Sequence, residues 1–230
     1  MANMGNIVAT LQLNAQEFRR DVQTAASDME KVGAAADSIA KVGIAAFAAL
    51  GVAIAGVAAA GVNMAMQFEE AAAKMQAATG STTSEMEEFK SAADNMFGNA
   101  RGSYEEIFGA LTTTKQLLGQ TGEEAEATAD RALQMSKAFG WDVNESLRAV
   151  SATQAAWGAT SEQSFDMFAA LTQQAGDKAD DLLDTFNEYS PTLAEVGWSM
   201  EDVGNAMARG MQNGAYNYDV MADALKEFKV

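Results

Sequence analysis

The longest pattern of apolar positions in the chain is a heptad repeat in its first third. From Phe18 the apolar residues advance by alternating steps of four and three as far as Met64. A repeat of 3.5 residues predicts a helix whose apolar seam packs against another helix in a left-handed supercoil. The pattern is clearest over 18–39, where charged residues occupy the other faces, and its main positions there are Phe18, Val22, Met29, Val32 and Ile39. We expect this seam to join a few copies of the chain in a parallel bundle, or alternatively to pack against the second half of the same chain.

Residues 42–68 continue the helix without a single charged side chain. At about 1.5 Å per residue the run is about 40 Å long, which is enough to cross the hydrocarbon core of a bilayer. Much of it is Ala and Gly, so insertion into a membrane is predicted to be marginal. Its strongly apolar residues are Val42, Ile44, Phe47, Leu50, Val52, Ile54, Val57 and Val62. Such a segment has to be covered by sister copies, by the rest of the chain or by lipid.

A short strand is predicted before the helix. Apolar residues alternate at positions 7, 9, 11 and 13, which is typical of a strand with one covered face. Asn14, with Glu17 three residues later, has the spacing of a helix-capping box. We therefore divide the chain into a strand or arm at 1–14, a long helix at 15–79 and a third region at 80–230.

The third region repeats one turn motif every 39 residues. Each motif has a glycine, a hydroxyl residue two positions later, and an acidic or amide residue three positions after that. Glycine ends one helix in the left-handed conformation, and the hydroxyl caps the next helix. The pairs are Gly80 with Thr82, Gly119 with Thr121, Gly158 with Thr160, and Gly197 with Ser199. A second series, offset by 21 residues, contains Ser103 and the pair Gly140 and Asp142. The spacing predicts an array of helical hairpins, with two helices of about 15 residues in each unit.

The third unit departs from this pattern. The next start of the second series falls at Asp181, and Ser190 followed by Pro191 resembles an additional N-cap and first helical residue. The last unit stops at Val230 in the middle of a motif, so we expect the repeat region to be truncated at its C-terminal end.

The amino-acid composition favours an all-α fold class and shows a strong excess of acidic residues. Residues 69–230 carry 27 acidic and 11 basic side chains, which leaves a formal charge of −16 on that region. Such a field repels phosphate, so specific nucleic-acid binding is not expected. The chain has no Cys and no His, which excludes the usual zinc ligand sets and the nucleophiles that depend on them. We therefore expect no catalytic site, no metal and no cofactor. Trp141, Trp157 and Trp198 adjoin turn glycines, where packing beneath the loops is the simpler interpretation.

The order of these parts resembles the N-terminal region and the helical core region of phage tail tape measure proteins. The closest likeness is the segment Phe68 to Gly80, which is similar to the family's entry into that core region. Further similar segments are 119–124, 139–142, 157–160 and 191–197, and the resemblance covers nearly all of residues 7–228.

The resemblance implies a structural role inside the virion. Several copies would lie along the lumen of the tail tube, where the length of the chain sets the length of the tube, with tail tube protein and assembly chaperones as partners. During assembly the protein would be in the host cytoplasm. On infection it would leave ahead of the DNA and help to form a passage through the host inner membrane. The length of 230 residues is short for the family. The competing hypothesis is a membrane-anchored helical-repeat adaptor, in which residues 69–230 bind a partner; an enzyme is the third and weakest.

Overall fold

The computed structural model describes residues 55–228, and within that range every regular element is an α-helix. The all-α fold class is therefore confirmed for this part of the chain. The helices are α1 (Ala55–Thr79), α2 (Thr83–Gly98), α3 (Tyr104–Leu118), α4 (Gly122–Phe139), α5 (Val143–Trp157), α6 (Ser161–Ala175), α7 (Leu182–Glu195), α8 (Met200–Gln212) and α9 (Tyr218–Lys226). The strand predicted within 1–14 and the seam at 18–39 lie outside the described residues.

The chain divides into two compact units, Met1–Met66 and Gln67–Val230. Of the first unit only the opening part of α1 is described. The second unit contains the remainder of α1 and all the other described helices, and the account of packing below concerns this unit alone.

Helices of the second unit alternate between two layers. In one layer α2 packs against α4, α4 against α6, and α6 against α8; in the other, α3 packs against α5, α5 against α7, and α7 against α9. Helices that follow each other along the chain, such as α2 and α3 or α3 and α4, also pack together. Each inner helix therefore contacts neighbours on several sides, which is possible because its apolar face is wider than a single seam.

The helices of each layer begin at regular intervals. The first residues of α2, α4, α6 and α8 are Thr83, Gly122, Ser161 and Met200, and each lies 39 positions after the one before. In the other layer α3, α5 and α7 also begin 39 positions apart, at Tyr104, Val143 and Leu182. The last helix, α9, begins at Tyr218, which is three positions earlier than this interval would give.

The buried apolar side chains form two clusters. The front core is built by α1 to α4 and runs from Ala71 to Leu133. The rear core is built by α4 to α9 and runs from Ala132 to Leu225. Helix α4 contributes to both, and Val143 packs against both.

The prediction for Ser190 and Pro191 was wrong, because both residues lie inside α7. Proline has no N–H, so Pro191 cannot donate to the carbonyl of Asn187 one turn earlier. Ser190 instead donates from Oγ to the carbonyl of Phe186. Burial of Leu193 in the rear core holds the last turn of the helix in place. Packing of that last turn thus outweighs the local preference of the Ser-Pro pair to begin a helix.

Candidate functional site

Several of the turns between the described helices contain the residues of the sequence motif. Glu85 N donates to Thr82 Oγ1 at 3.3 Å, and Thr82 N donates back to Glu85 Oε2 at 2.8 Å. This reciprocal pair satisfies two backbone donors that a helix start would otherwise leave free. Thr160 forms the same box with Gln163. The side chains of Asp142 and Ser199 each accept from the backbone N–H three residues later, at 2.9 and 3.1 Å.

The five glycines of the predicted turns all have positive φ. The values are 64° at Gly80, 69° at Gly119, 79° at Gly140, 66° at Gly158 and 102° at Gly197. At Gly119 the amide donates to the carbonyl of Lys115 at 3.0 Å and closes the last turn of α3. A side chain at this position would strain the left-handed backbone, so glycine is required by conformation rather than by space.

Thr121 does not cap α4 with its side chain, contrary to the sequence motif. It holds the N-cap position, but its hydroxyl makes no cap hydrogen bond. Gly122, the first helical residue, has a φ of 58°, so the backbone enters α4 differently from the other starts. The neighbouring Gln120 donates from Nε2 to Glu124 Oε1 at 2.9 Å and ties the turn to the first turn of α4.

Side chains of one hairpin bind carbonyls at the helix ends of the preceding hairpin. Gln116 Nε2 donates to the carbonyl of Ala78 at 3.0 Å, and Gln212 Nε2 donates to the carbonyl of Gln174 at 3.4 Å. Both bonds span 38 residues. The last four carbonyls of a helix have no partner within that helix, so these bonds stabilise its end. Neighbouring hairpins are therefore joined by specific polar contacts as well as by apolar packing.

Two tryptophans connect successive turns. Trp157 Nε1 donates to the carbonyl of Trp198 at 2.8 Å. Trp198 Nε1 donates to the carbonyls of Leu225 and Phe228, both at 3.1 Å. Trp141 is buried and its ring stacks on Phe139 at a centroid distance of 4.7 Å. The indole N–H groups of Trp157 and Trp198 thus link the turns by hydrogen bonds, and the ring of Trp141 packs beside its own turn.

Three helix ends meet at an acidic junction that the sequence analysis missed. The carboxylate of Asp177 accepts from the amides of Asp181 and Leu182, at 3.1 and 3.3 Å, and so caps α7. Asp181 does not cap its own helix; its carboxylate accepts from the amides of Tyr218 and Asp219, at 3.3 and 3.0 Å, at the start of α9. The cap between Asp181 and α9 spans 37 residues, so no local motif could have indicated it. The start of α9 did carry a local signal, because the side chain of Asn217 accepts from Val220 N at 3.0 Å.

The side chains around this junction have perturbed pKa values. Burial raises the pKa of Asp177, and the two amide hydrogen bonds oppose that rise. Burial also raises the pKa of Glu145, with a further contribution from the negative charge of Asp184. The pKa of the Tyr218 hydroxyl is raised by burial, and this hydroxyl donates to the carbonyl of Gly176 at 2.8 Å. Close packing of carboxylates here is thus a cost that the hydrogen bonds to helix starts offset.

Ion pairs join helices α1 to α4 to one another and α4 to α6. Lys90 pairs with Glu69 at 2.9 Å, and Lys115 pairs with Glu85 at 2.7 Å. The bond to Lys115 and the cap contacts of Thr82 lower the pKa of Glu85 to about 2. Arg101 with Asp130 and Arg131 with Asp166 are further pairs of this kind. All of them are partly exposed, so each contributes about 1 kcal/mol or less.

Exposed apolar side chains occur in and beside α9. Val220 lies in the helix and is 49% exposed, and Tyr216 and Phe228, just outside its two ends, are 82% and 64% exposed. The opposite face of α9, with Tyr218, Ala222 and Leu225, is buried. Tyr216, Val220 and Phe228 are a candidate contact surface among the described residues.

The other predicted sites fall largely outside the described residues. The seam residues Phe18, Val22, Met29, Val32 and Ile39 lie there, and so do positions 42–54 of the hydrophobic segment. Val57 and Val62 lie in α1. Over residues 55–228, none of the helices has both the length and the apolar character needed to cross a membrane. Within the same range no group of three or more acidic residues is placed to hold a metal ion.

The part of the chain that the structure describes is all-helical and acidic, and its polar groups serve helix ends and helix contacts. Residues 98–229, which are more than half of the chain, match the family described as phage-related minor tail protein. The chain therefore belongs to the phage-related minor tail protein family, and this indicates a structural protein of the phage tail, associated with the virion. None of the curated proteins and none of the solved structures compared with the chain matches it.

Proposed function

We propose that this chain acts as a tail tape measure protein, in tail assembly and tail length determination inside the tail tube. The observation that carries the proposal is the family match over residues 98–229. Ahead of the matched region lie the heptad seam and the uncharged segment 42–68. The resemblance to tape measure proteins rests on this order of segments.

The proposed architecture is an array of helical hairpins with a unit of 39 residues. It is supported by the equal spacing of the starts of α2, α4, α6 and α8, and by the bonds that reach back 38 residues to Ala78 and Gln174. In such an array each unit contacts only its neighbours, so units can be added or removed without rebuilding a common core. A protein whose length matters gains from this property.

A single introduced cysteine tests the location in the tail tube. The chain has no Cys, and Lys178 lies exposed in the loop between α6 and α7. A bulky maleimide reagent should modify the Lys178→Cys variant rapidly as purified protein, should not modify it in intact virions, and should modify it after genome ejection. Equally rapid modification in intact virions would place the protein outside the tube and contradict the proposal.

Self-association through the seam is the second part of the proposal. Val22 and Val32 belong to the heptad pattern, and an Asp at either position would place a charge in an apolar seam. The double variant Val22→Asp, Val32→Asp should be monomeric by light scattering while the original chain is oligomeric. An unchanged mass would show that association does not depend on the seam and would contradict this part of the proposal.

Membrane contact during ejection is proposed for residues 42–68. The segment contains no charge, and its apolar residues make transfer into lipid marginally favourable. The protein should float with lipid vesicles, and a variant lacking 42–66 should not. Flotation of the deletion variant would assign lipid binding to another region. Dependence on detergent at all times would instead favour the membrane-anchored adaptor.

Tail tube protein and assembly chaperones are the partners we propose, while no specific binding of nucleic acid is expected. The charge of −16 on residues 69–230 would not retain DNA that follows the protein through a tube. Binding of the purified protein to duplex DNA at physiological salt would contradict this part of the proposal.

A further inference from the structure

The front core and the rear core of the described residues differ in composition. Seven of the fifteen residues of the front core are Ala and three are Met. The rear core contains six Leu and five aromatic residues among its nineteen, and only four Ala. Because burial of a large apolar side chain stabilises a fold by about 1.5–3 kcal/mol and burial of Ala by much less, the front core is the weaker of the two.

Polar cross-links reinforce the difference. In the rear half, defined as residues 143–228, the indoles of Trp157 and Trp198 and the hydroxyl of Tyr218 donate to backbone carbonyls that are distant in the sequence, those of Trp198, Leu225 and Leu171. In the front half, defined as residues 67–139, the polar links between helices involve exposed or partly exposed groups, among them the ion pairs Lys90–Glu69, Lys115–Glu85 and Arg101–Asp130 and the hydrogen bond from Gln116 to the carbonyl of Ala78. Partly exposed pairs add little stability, whereas hydrogen bonds that satisfy buried groups are costly to lose.

A limited set of side chains crosses the boundary between the two halves. Met135 of α4 belongs to the rear core, and Leu118 and Phe139 of the front half pack against it. Polar links also cross the boundary near the surface: Thr113 Oγ1 donates to Asn144 Oδ1 at 2.6 Å, Ser151 Oγ donates to the carbonyl of Leu117 at 3.2 Å, and Arg131 pairs with Asp166. Separation at this boundary breaks these contacts and leaves the packing among α5 to α9 in place.

We infer that the front half opens as a cooperative unit while the rear half stays folded. The opened chain retains the part of the rear core that α5 to α9 contribute, with their cross-links, and loses the packing of α2, α3 and α4. The two halves thus differ in stability, and the front half opens before the rear half.

Native-state hydrogen exchange on the full chain tests this order. Amides of α2 and α3 should show protection at least about tenfold lower than the slowest amides of α5 and α7, because they exchange through the partial opening. A matched pair of variants gives the decisive result. Met96 and Met207 are both buried, at 2% and 0% exposed, and they lie in the front and the rear core.

Met207→Ala destabilises the native and the front-open states equally. It should therefore speed exchange in the rear half by about 30-fold or more, and leave exchange in the front half unchanged. Met96→Ala destabilises the native state alone, so it should speed exchange in both halves. If Met207→Ala speeds exchange of α2 and α3 as much as that of α5 and α7, the unit unfolds all at once and the inference is wrong. The reverse asymmetry between the two variants would overturn the order of opening.

Discussion

Thr114 and Thr153 occupy equivalent places in α3 and α5, 39 residues apart, yet their hydroxyls have different surroundings. Thr153 Oγ1 donates within its own helix, with Val150 O at 2.8 Å, and lies 2.7 Å from Ser164 Oγ. The position equivalent to Ser164 in the preceding hairpin is Ala125, and Thr114 Oγ1 has no hydrogen-bond partner among the described residues. The same residue in the same helical position is thus satisfied in one hairpin and not in the other.

This difference predicts opposite results for one substitution. Thr153→Val should lower the free energy of unfolding by about 1 kcal/mol, because a buried hydrogen bond is lost. Thr114→Val should leave it unchanged or raise it by up to about 1 kcal/mol, because an unsatisfied buried hydroxyl is removed. Urea denaturation of both variants is the measurement. A similar loss in both would show that Thr114 also has a partner.

Glu145 gives a pH-dependent prediction at the same scale. Its folded-state pKa is raised above the ordinary value of 4.5, so the fold disfavours the ionised form. The resulting loss of folding stability is present at pH values above the folded-state pKa of Glu145, and it disappears as the pH falls to the ordinary pKa of a glutamate and below. Glu145→Gln should therefore raise the melting temperature at pH 7 and give no gain at pH 4.

An exposed acidic residue on α7 provides the control for this experiment. Glu188→Gln removes the same charge from the surface of that helix. It should change the melting temperature less than Glu145→Gln at pH 7. An equal gain from both variants would mean that overall charge, rather than the junction, controls the pH dependence.

Among the elements, the starts of α2 and α4 have the same sequence motif but different caps. Thr82 forms a reciprocal capping box with Glu85, whereas Thr121 makes no side-chain cap bond. Thr82→Ala should lower the free energy of unfolding by about 1 kcal/mol, and Thr121→Ala should cost clearly less. Chemical denaturation of the two variants measures the difference. Equal losses would indicate that Thr121 caps α4 after all.

Most helices were predictable because their boundaries are set by residues close together in the sequence. A glycine with positive φ and a hydroxyl two residues later depend on a few neighbouring side chains, and at Gly80 and Thr82 the structure has both. Prediction failed where distant groups decide the outcome. Pro191 lies inside α7 because that helix packs on the rear core. The carboxylate of Asp181 accepts hydrogen bonds at the start of α9 because the free amides of Tyr218 and Asp219, 37 and 38 residues away, lie beside it.

The candidate contact surfaces were less predictable than the turns. Exposure of Val220 depends on which face of the short helix α9 is buried, and a helix of nine residues gives too few positions for a periodic pattern to decide. The seam at 18–39 and the segment up to residue 54 lie outside the described residues, so both remain predictions. The turn motif predicted several helix starts, whereas the acidic junction depends on residues that are far apart in the sequence.

On the largest scale, residues 55–228 combine local contacts with a spacing of 39 residues between most helix starts of a layer. Among these residues, the hydrogen bonds between helices reach no further than the bond from Tyr218 to Leu171, a separation of 47 residues. The array of hairpins that we propose would tolerate loss of one unit better than a fold with a single shared core. Its length could then change while the remaining hairpins keep their packing.

Tail length in phage that carry a shortened chain is the most direct test of the proposed function. Deletion of residues 122–160 removes one unit and joins Thr121 to Ser161, so a threonine still precedes the helix. Electron microscopy should show shorter tails: by about 58 Å if the lost residues form one continuous helix along the tube, at about 1.5 Å per residue, and by about 10 Å if they keep their hairpin packing, since packed helices lie about 8–10 Å apart. The control, Thr121→Ala, keeps the length of the chain and should give tails of normal length. Tails of normal length from the deletion variant would contradict a role in length determination.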